Sequence, residues 1–599
     1  MTRQGAKRRN PLGHRLLFAA LTTTLMAAGI PTDVADSPVA DAAMRGDIAG
    51  VRALLENGAD MDAAQGDGMT ALHWAAVTGN AELAALLIAG DAYLEGETRL
   101  GAYRPLHLAA KNGNAAILAA LLDAGAEVDS ETATGAVTAL HFASASGIED
   151  AVRTLIDHGA DVGRREGTWG QTPLMFAAAS GRAGTAKLLV DAGADPDVIA
   201  EVLDMPTRDA QDREDEARSR ELRGQTGRSS GEASVGGAGA GPGTPPTARV
   251  DPNEAQRDRG AQRLSAAELI GGYGGLSALL LAVREGHVQA ATQLLDLGAD
   301  INLASGGDHT TPLLMASING HFDLAMELFQ RGADPSIASG AGATPLYVVL
   351  NTEWIPKSRH PQPTHRLQQE VTYLDLMRAF LDHGVDPNLG LTKQLWFTTF
   401  GDDYLGVDRG GATPFWRAAY ALDIEAMRML VSYGADSSSP TLRPPARARR
   451  GGPGADAPGG ASGGDPSGLP PVPVGGPGVW PIHAASGVGY GEGFAGNIHR
   501  HAPEAWLPAV RYLVEERGAD VNARDHNGYN AIHHAASRGD NELILYLVQK
   551  GGDVSAVSRA GQTTVDMANG PAQRISPFPE TIALLEGLGA KNNHNCVGC

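Results

Sequence analysis

The sequence closes on its only two cysteines, Cys596 and Cys599, in a C-x-x-C just after His594. Three chemistries suit that spacing: a small-loop disulfide, a thiolate pair that binds a metal together with His594, or the start of a haem attachment site. The haem pattern requires a histidine directly after the second cysteine, and none follows Cys599. In an oxidising compartment the disulfide is the default expectation, with a metal or redox role as its alternative. Histidines invite a second metal reading. His73, His107 and His141 recur at a fixed spacing of 34, and His483, His499, His501, His526, His533 and His534 crowd the C-terminal part without a fixed ligand spacing. Neither set reads as a metal site, and no cofactor is expected. Binding chemistry points elsewhere. Trp396, Phe397, Phe400 and Tyr404 stand together in a stretch, 389–411, that no regular helix needs for its core. Arg164, Arg165 and Trp169 form a second such patch. Exposed aromatic and Arg side chains concentrate interface energy, so both are candidate protein-binding surfaces, the alternative for the first being a private mini-core folded back on the molecule. G-x-S-x-G, H-E-x-x-H and G-x-x-x-x-G-K are all absent, and Gly271-Gly272 lacks the strand-then-helix setting of a phosphate loop. The sequence is not expected to be an enzyme.

The elements that must position these residues follow from Thr172–Asp195, TPLMFAAASGRAGTAKLLVDAGAD. Thr172 is an N-cap and Pro173 takes the first helical position, where its missing N–H costs nothing. Ala177, Ala178 and Ala179 give a small-residue face that admits a close neighbour, and Gly181 supplies the left-handed stop. A second helix carries Leu188, Leu189 and Val190 and ends at Gly193. Neither helix buries its face alone, so copies must stack. Registered on Thr172, copies begin at Ser37, Thr70, Arg104, Thr138, Ser277, Thr311, Thr344, Thr413, Trp480, Asn530 and Thr563. That makes twelve units with a period near 34 residues.

The repeated T-P-L-H-x-A-A, G, L-L and G-A-D pattern resembles the ankyrin repeat family. The resemblance implies an all-α solenoid of helix-turn-helix units with β-turn fingers. It further implies a concave face that binds other macromolecules and a histidine that hydrogen-bonds between adjacent loops. The expected organisation is a signal or anchor at 1–30, repeats over 31–198, a disordered linker at 199–264, and repeats with long insertions over 265–436. A Gly/Pro-rich spacer at 437–478, repeats over 479–590 and the Cys-containing tail 591–599 complete it. The first unit, SPVADAA, lacks Thr and His, as suits a cap. Whether residues 199–264 loop out of one solenoid or separate two is open from sequence.

Arg3, Lys7, Arg8, Arg9 and Arg15 precede the apolar run Leu16–Ile30. This reads as an export signal of an exported, bacterial-type protein of the cell envelope or periplasm, or of a secreted one, an uncleaved anchor being the alternative. A net charge of −21 disfavours nucleic acid and favours a neutral or basic protein partner. The expected function is a protein-binding scaffold. The alternatives are a redox or metal-handling envelope protein using the C-x-x-C, or an effector delivered into another cell.

Overall fold

The computed structural model describes residues 37–226, 264–357, 364–396, 407–445, 465–489, 499–570 and 576–596. Among these residues twelve helix pairs follow one another. Their inner helices, numbered as units 1–12, are Pro38–Met44, Ala71–Thr78, Pro105–Lys111, Ala139–Ser146, Pro173–Ala179, Ala278–Arg284, Pro312–Asn319, Pro345–Glu353, Pro414–Tyr420, Pro481–Ser486, Ala531–Ala536 and Thr564–Ala568. Each begins where the sequence places its cap. Thr172 Oγ1 accepts from Met175 N–H at 3.4 Å, and Gly79 ends its helix with a φ of 71° that a side chain would strain.

Inner helices pack on inner helices, and through units 2–6 outer helices pack on outer ones. Buried alanines such as Ala75, Ala109, Ala143 and Ala177 let the inner backbones approach. The resulting apolar cluster runs without a break from Val39 to Ala590. Carboxylate and amide side chains lace the finger bases together: Asp62 accepts from Tyr93 N–H at 2.9 Å, Asp129 from Asp161 N–H at 3.1 Å, and Asn302 from Asp334 N–H at 2.9 Å.

That lattice settles how the first insertion is accommodated. Asp197 accepts from Asp300 N–H at 2.9 Å, and His287 Nε2 donates to Ala179 O at 3.2 Å. Units 5 and 6 are therefore ordinary neighbours, and the insertion loops out between them. Its neck is a short antiparallel ladder of β1 (Val202–Asp204) and β2 (Gly272–Gly274), paired Val202 with Gly274, Leu203 with Tyr273 and Asp204 with Gly272. Of residues 199–264, expected to lack structure throughout, those from Met205 to Thr226 form a 22-residue helix. Its charges sit at helical spacing: Arg208 bonds Asp212 at 3.3 Å and Arg213 bonds Asp209. Such i,i+4 pairs support a helix with no apolar face.

The second spacer is likewise partly ordered. Gly478 N–H donates to Thr441 O at 2.6 Å, and Trp416 Nε1 donates across to Val479 O at 2.8 Å. The outer helix of unit 10, Trp506–Arg511, continues as a π-turn over Tyr512–Glu516. Unit 10 reads YLVEERGAD where unit 5 reads LLVDAGAD, one residue more between the valine and the glycine. The wider turn absorbs that residue without shifting the finger register.

Candidate functional site: the inner face and its fingers

The histidines at the fourth motif position are spent on architecture. His73 Nδ1 accepts from Thr70 N–H at 3.1 Å, and Nε2 donates to Tyr103 O at 3.0 Å on the following finger. His107, His141 and His483 repeat the second bond to Ser130 O, Gln171 O and Ala523 O at 2.8, 3.1 and 2.9 Å. Burial disfavours their charged forms, lowering His73 and His107 and taking His141 and His483 down to about 4. A neutral imidazole that accepts at one nitrogen and donates at the other is what the bond pattern requires. His534 lies 3.4 Å from the buried carboxylate of Asp525. His499 and His501 lie against the rings of Tyr420 and Trp506, at 4.2 and 4.7 Å between centroids.

One residue further along, the same helices present a different surface. Trp74, Leu108, Phe142 and Phe176 occupy the position after the motif histidine, or after its Met175 equivalent, in units 2–5, spaced 34 residues apart. Each is only half-buried, although its neighbours in the helix are fully buried. They face the angle between inner helices and fingers, where Trp74 Nε1 donates to Gln65 Oε1 at 2.9 Å and the Phe142 ring lies 5.8 Å from Tyr103. The fingers above them are acidic. Arg104 alone answers three carboxylates, Glu95 at 2.7 Å, Glu97 at 3.3 Å and Glu127 at 2.9 Å. An apolar stripe under a net negative rim results.

The same face is closed in units 8–10. Leu391, Leu395 and Val407 from the long finger, with Val488, are buried beside Tyr347, Trp416 and Tyr420 in a second apolar cluster. Arg417, at the stripe position of unit 9, is buried and donates to Asn351 Oδ1 at 2.8 Å and Trp354 O at 2.7 Å. Insertions thus fill the groove that units 2–5 leave open.

The two sequence-derived patches come together. Trp169 is 40% exposed on the finger before unit 5, and Trp396 is half-buried on the long finger. Between them stands Tyr273 of β2, edge-on to both, with centroids 6.3 Å from Trp169 and 6.0 Å from Trp396. Glu166 fixes the first finger by accepting from Thr168, Trp169 and Gln171 N–H at 2.7, 2.6 and 3.1 Å. Arg164 pairs with Glu131, while Arg165 latches the loops by donating to Gly170 O at 3.3 Å and Ile199 O at 2.9 Å. Phe397, Phe400 and Tyr404 lie outside the described residues, as does Cys599; Cys596 is disulfide-bonded. Tyr273 escaped the sequence reading because GGYGG sits at the edge of a Gly-rich linker, where an aromatic between glycines was the available signal. The stripe was missed too, although its period of 34 was legible.

Stacked helix pairs with a finger-roofed inner face define a repeat-built interaction scaffold. Residues 39–132, 106–200 and 260–348 match the family described as ankyrin repeats (3 copies), and residues 498–548 that described as ankyrin repeats (many copies). The chain belongs to the ankyrin repeat family. It is 35% identical over 68 residues to BCL-6 corepressor-like protein 1 of Mus musculus, covering 11% of this chain and 4% of that one. Protein phosphatase 1 regulatory subunit 12A of Rattus norvegicus is 30% identical over 96 residues, 16% of this chain and 8% of its own. An ankyrin repeat-containing protein of Schizosaccharomyces pombe is 42% identical over 69 residues, 10% of this chain and 32% of its own. The chain thus spans well under half of each relative, and what it shares with them is a run of repeats.

Proposed function

We propose that units 2–5 bind a protein segment with an apolar anchor and neutral or basic flanks, laid along Trp74, Leu108, Phe142 and Phe176. The observation behind this reading is the stripe itself: four large apolar side chains, at one position of consecutive units, left part-exposed under fingers whose carboxylates outnumber their guanidiniums. Burying such anchors supplies affinity, and an acidic rim raises the encounter rate of a basic partner. The row Trp169, Tyr273, Trp396 supports a second contact region on the finger side. Its three rings come from segments far apart in sequence, and two of them are well exposed. The proposal includes export to the cell envelope through residues 1–30, supported by their basic start and apolar run. Among the described residues no helix is long and apolar enough to cross a membrane.

A photo-crosslinking side chain at Leu108, compared with one at the exposed outer-helix residue Leu545, tests the surface. A partner captured from position 108 and lost on Phe142→Ala supports the reading. Equal capture from both positions, or capture insensitive to Phe142→Ala, sinks it.

A further inference from the structure

Residues 469–474 read Leu-Pro-Pro-Val-Pro-Val. Proline fixes its own φ near −65° and pushes the residue before it into the extended region, so Pro470, Pro471 and Pro473 together favour polyproline II geometry over 469–473. That helix has three residues per turn, so its side chains form three edges. Exposure follows the same period. Leu469 and Val472, on one edge, are half-buried, whereas the pairs Pro470 with Pro473 and Pro471 with Val474 are exposed. Val474 is 48% exposed.

Guanidiniums hold the backbone in place. Arg559, on the finger before unit 12, donates to Leu469 O at 3.3 Å and Pro470 O at 2.5 Å, and Arg443 donates to Val472 O. The far end is closed by Gly475 N–H to Arg443 O at 2.9 Å and Gly476 N–H to Pro473 O at 2.9 Å. A spacer needs none of these anchors. Their effect is to present two proline edges outward with the ordering entropy already spent, beside two arginines answered among the described residues by Asp465 alone.

We propose that residues 469–474 are a preformed ligand for an SH3-type proline-recognition domain, one whose aromatic-lined groove has an acidic rim. Successive slots in such a groove accept residues one turn apart, about 9 Å, and Pro470 and Pro473 are so spaced on an exposed edge. The acidic rim meets Arg443, since Arg559 is already paired with Asp465 and bonded to His526 O and the strap. Anchoring the strap removes part of the conformational cost that a free peptide would meet on binding.

The test titrates the full chain against an isolated SH3 domain whose specificity loop is acidic. Saturable binding is expected, with competition by a peptide of residues 466–475 that binds the domain more weakly than the full chain does. Pro470→Ala with Pro473→Ala should weaken binding roughly tenfold or more at an unchanged melting temperature, and Arg559→Ala by a smaller factor. Absence of saturable binding overturns the proposal, as does binding that survives the double substitution. A free peptide that matches the full chain overturns the role of the anchored strap.

Discussion

Acid should weaken the stack through its neutral histidines, in a pH window their environment fixes. Burial, the largest influence on each, takes His141 and His483 down to about 4 and His533 down to about 3. An unfolded chain returns them to about 6.5. Their folded pKa lies below the unfolded one, so between these values the unfolded state binds the extra proton and stability falls as pH falls. pH 5 lies about 1.5 units under the unfolded value, where each is mostly protonated when unfolded and still neutral when folded, a loss of about 2 kcal/mol per histidine. Burial is the largest influence on Asp525 and pushes it up, but the bond to His534 together with the charges of His534, His483 and His526 holds it below the usual carboxylate range, so its contribution goes only under still more acid conditions. His483 and His533 belong to neighbouring units, and repeats unfold locally, so the C-terminal units should be lost first. Urea unfolding followed by helical circular dichroism at pH 7.5 and pH 5, with hydrogen exchange to locate the loss, measures this. His483→Gln and His533→Gln should each flatten the pH dependence by roughly one histidine's share. A midpoint that does not move between the two pH values, or variants with the wild-type slope, would refute the reasoning.

Leu189→Ala, at a fully buried position, should cost about 2–5 kcal/mol by equilibrium unfolding, and Leu188→Ala, at a half-buried one, distinctly less. Replacing residues 205–271 by an Asn-Gly turn should leave the repeats folded, because Asp204 and Gly272 already face each other across the ladder; loss of helicity beyond that of the excised segment would show the insertion to be structural. A double-mutant cycle of Tyr273→Ala and Trp396→Ala should report coupling of about 0.5–1.5 kcal/mol for an edge-on aromatic pair, and zero coupling would mean that the rings do not meet in solution. N-terminal sequencing of envelope-derived protein should begin near residue 30, and recovery of intact Met1 from cytosol would contradict the export reading.

The sequence by itself determined every feature that a unit makes within its own length. Thr or Ser caps, the proline at the first helical position, the left-handed glycine and the alternation of buried alanines and leucines are local signals. Their recurrence every 34 residues sets the stack, because a helix pair with one apolar face has nowhere else to bury it. The histidine at the fourth position was legible for the same reason: its first bond reaches only three residues back, and its second goes to the next finger, a fixed step along the repeat.

Tertiary structure decided what the insertions do, since nothing in a non-repeating segment states which part of the stack it meets. Leu391 and Leu395 close the inner face of the later units because Tyr347, Trp416 and Tyr420 offer apolar surface there. Leu108 and Phe142 are left half-buried, and among the described residues no insertion packs on them. Residues 169, 273 and 396 share a surface only because units 5 and 6 stack directly and return the neck of an insertion to the finger side. The prolines at 470–473 dictate their own backbone. Which two of their three edges face solvent was decided by Arg443 and Arg559, one from the edge of the same spacer and the other from the last finger of the stack.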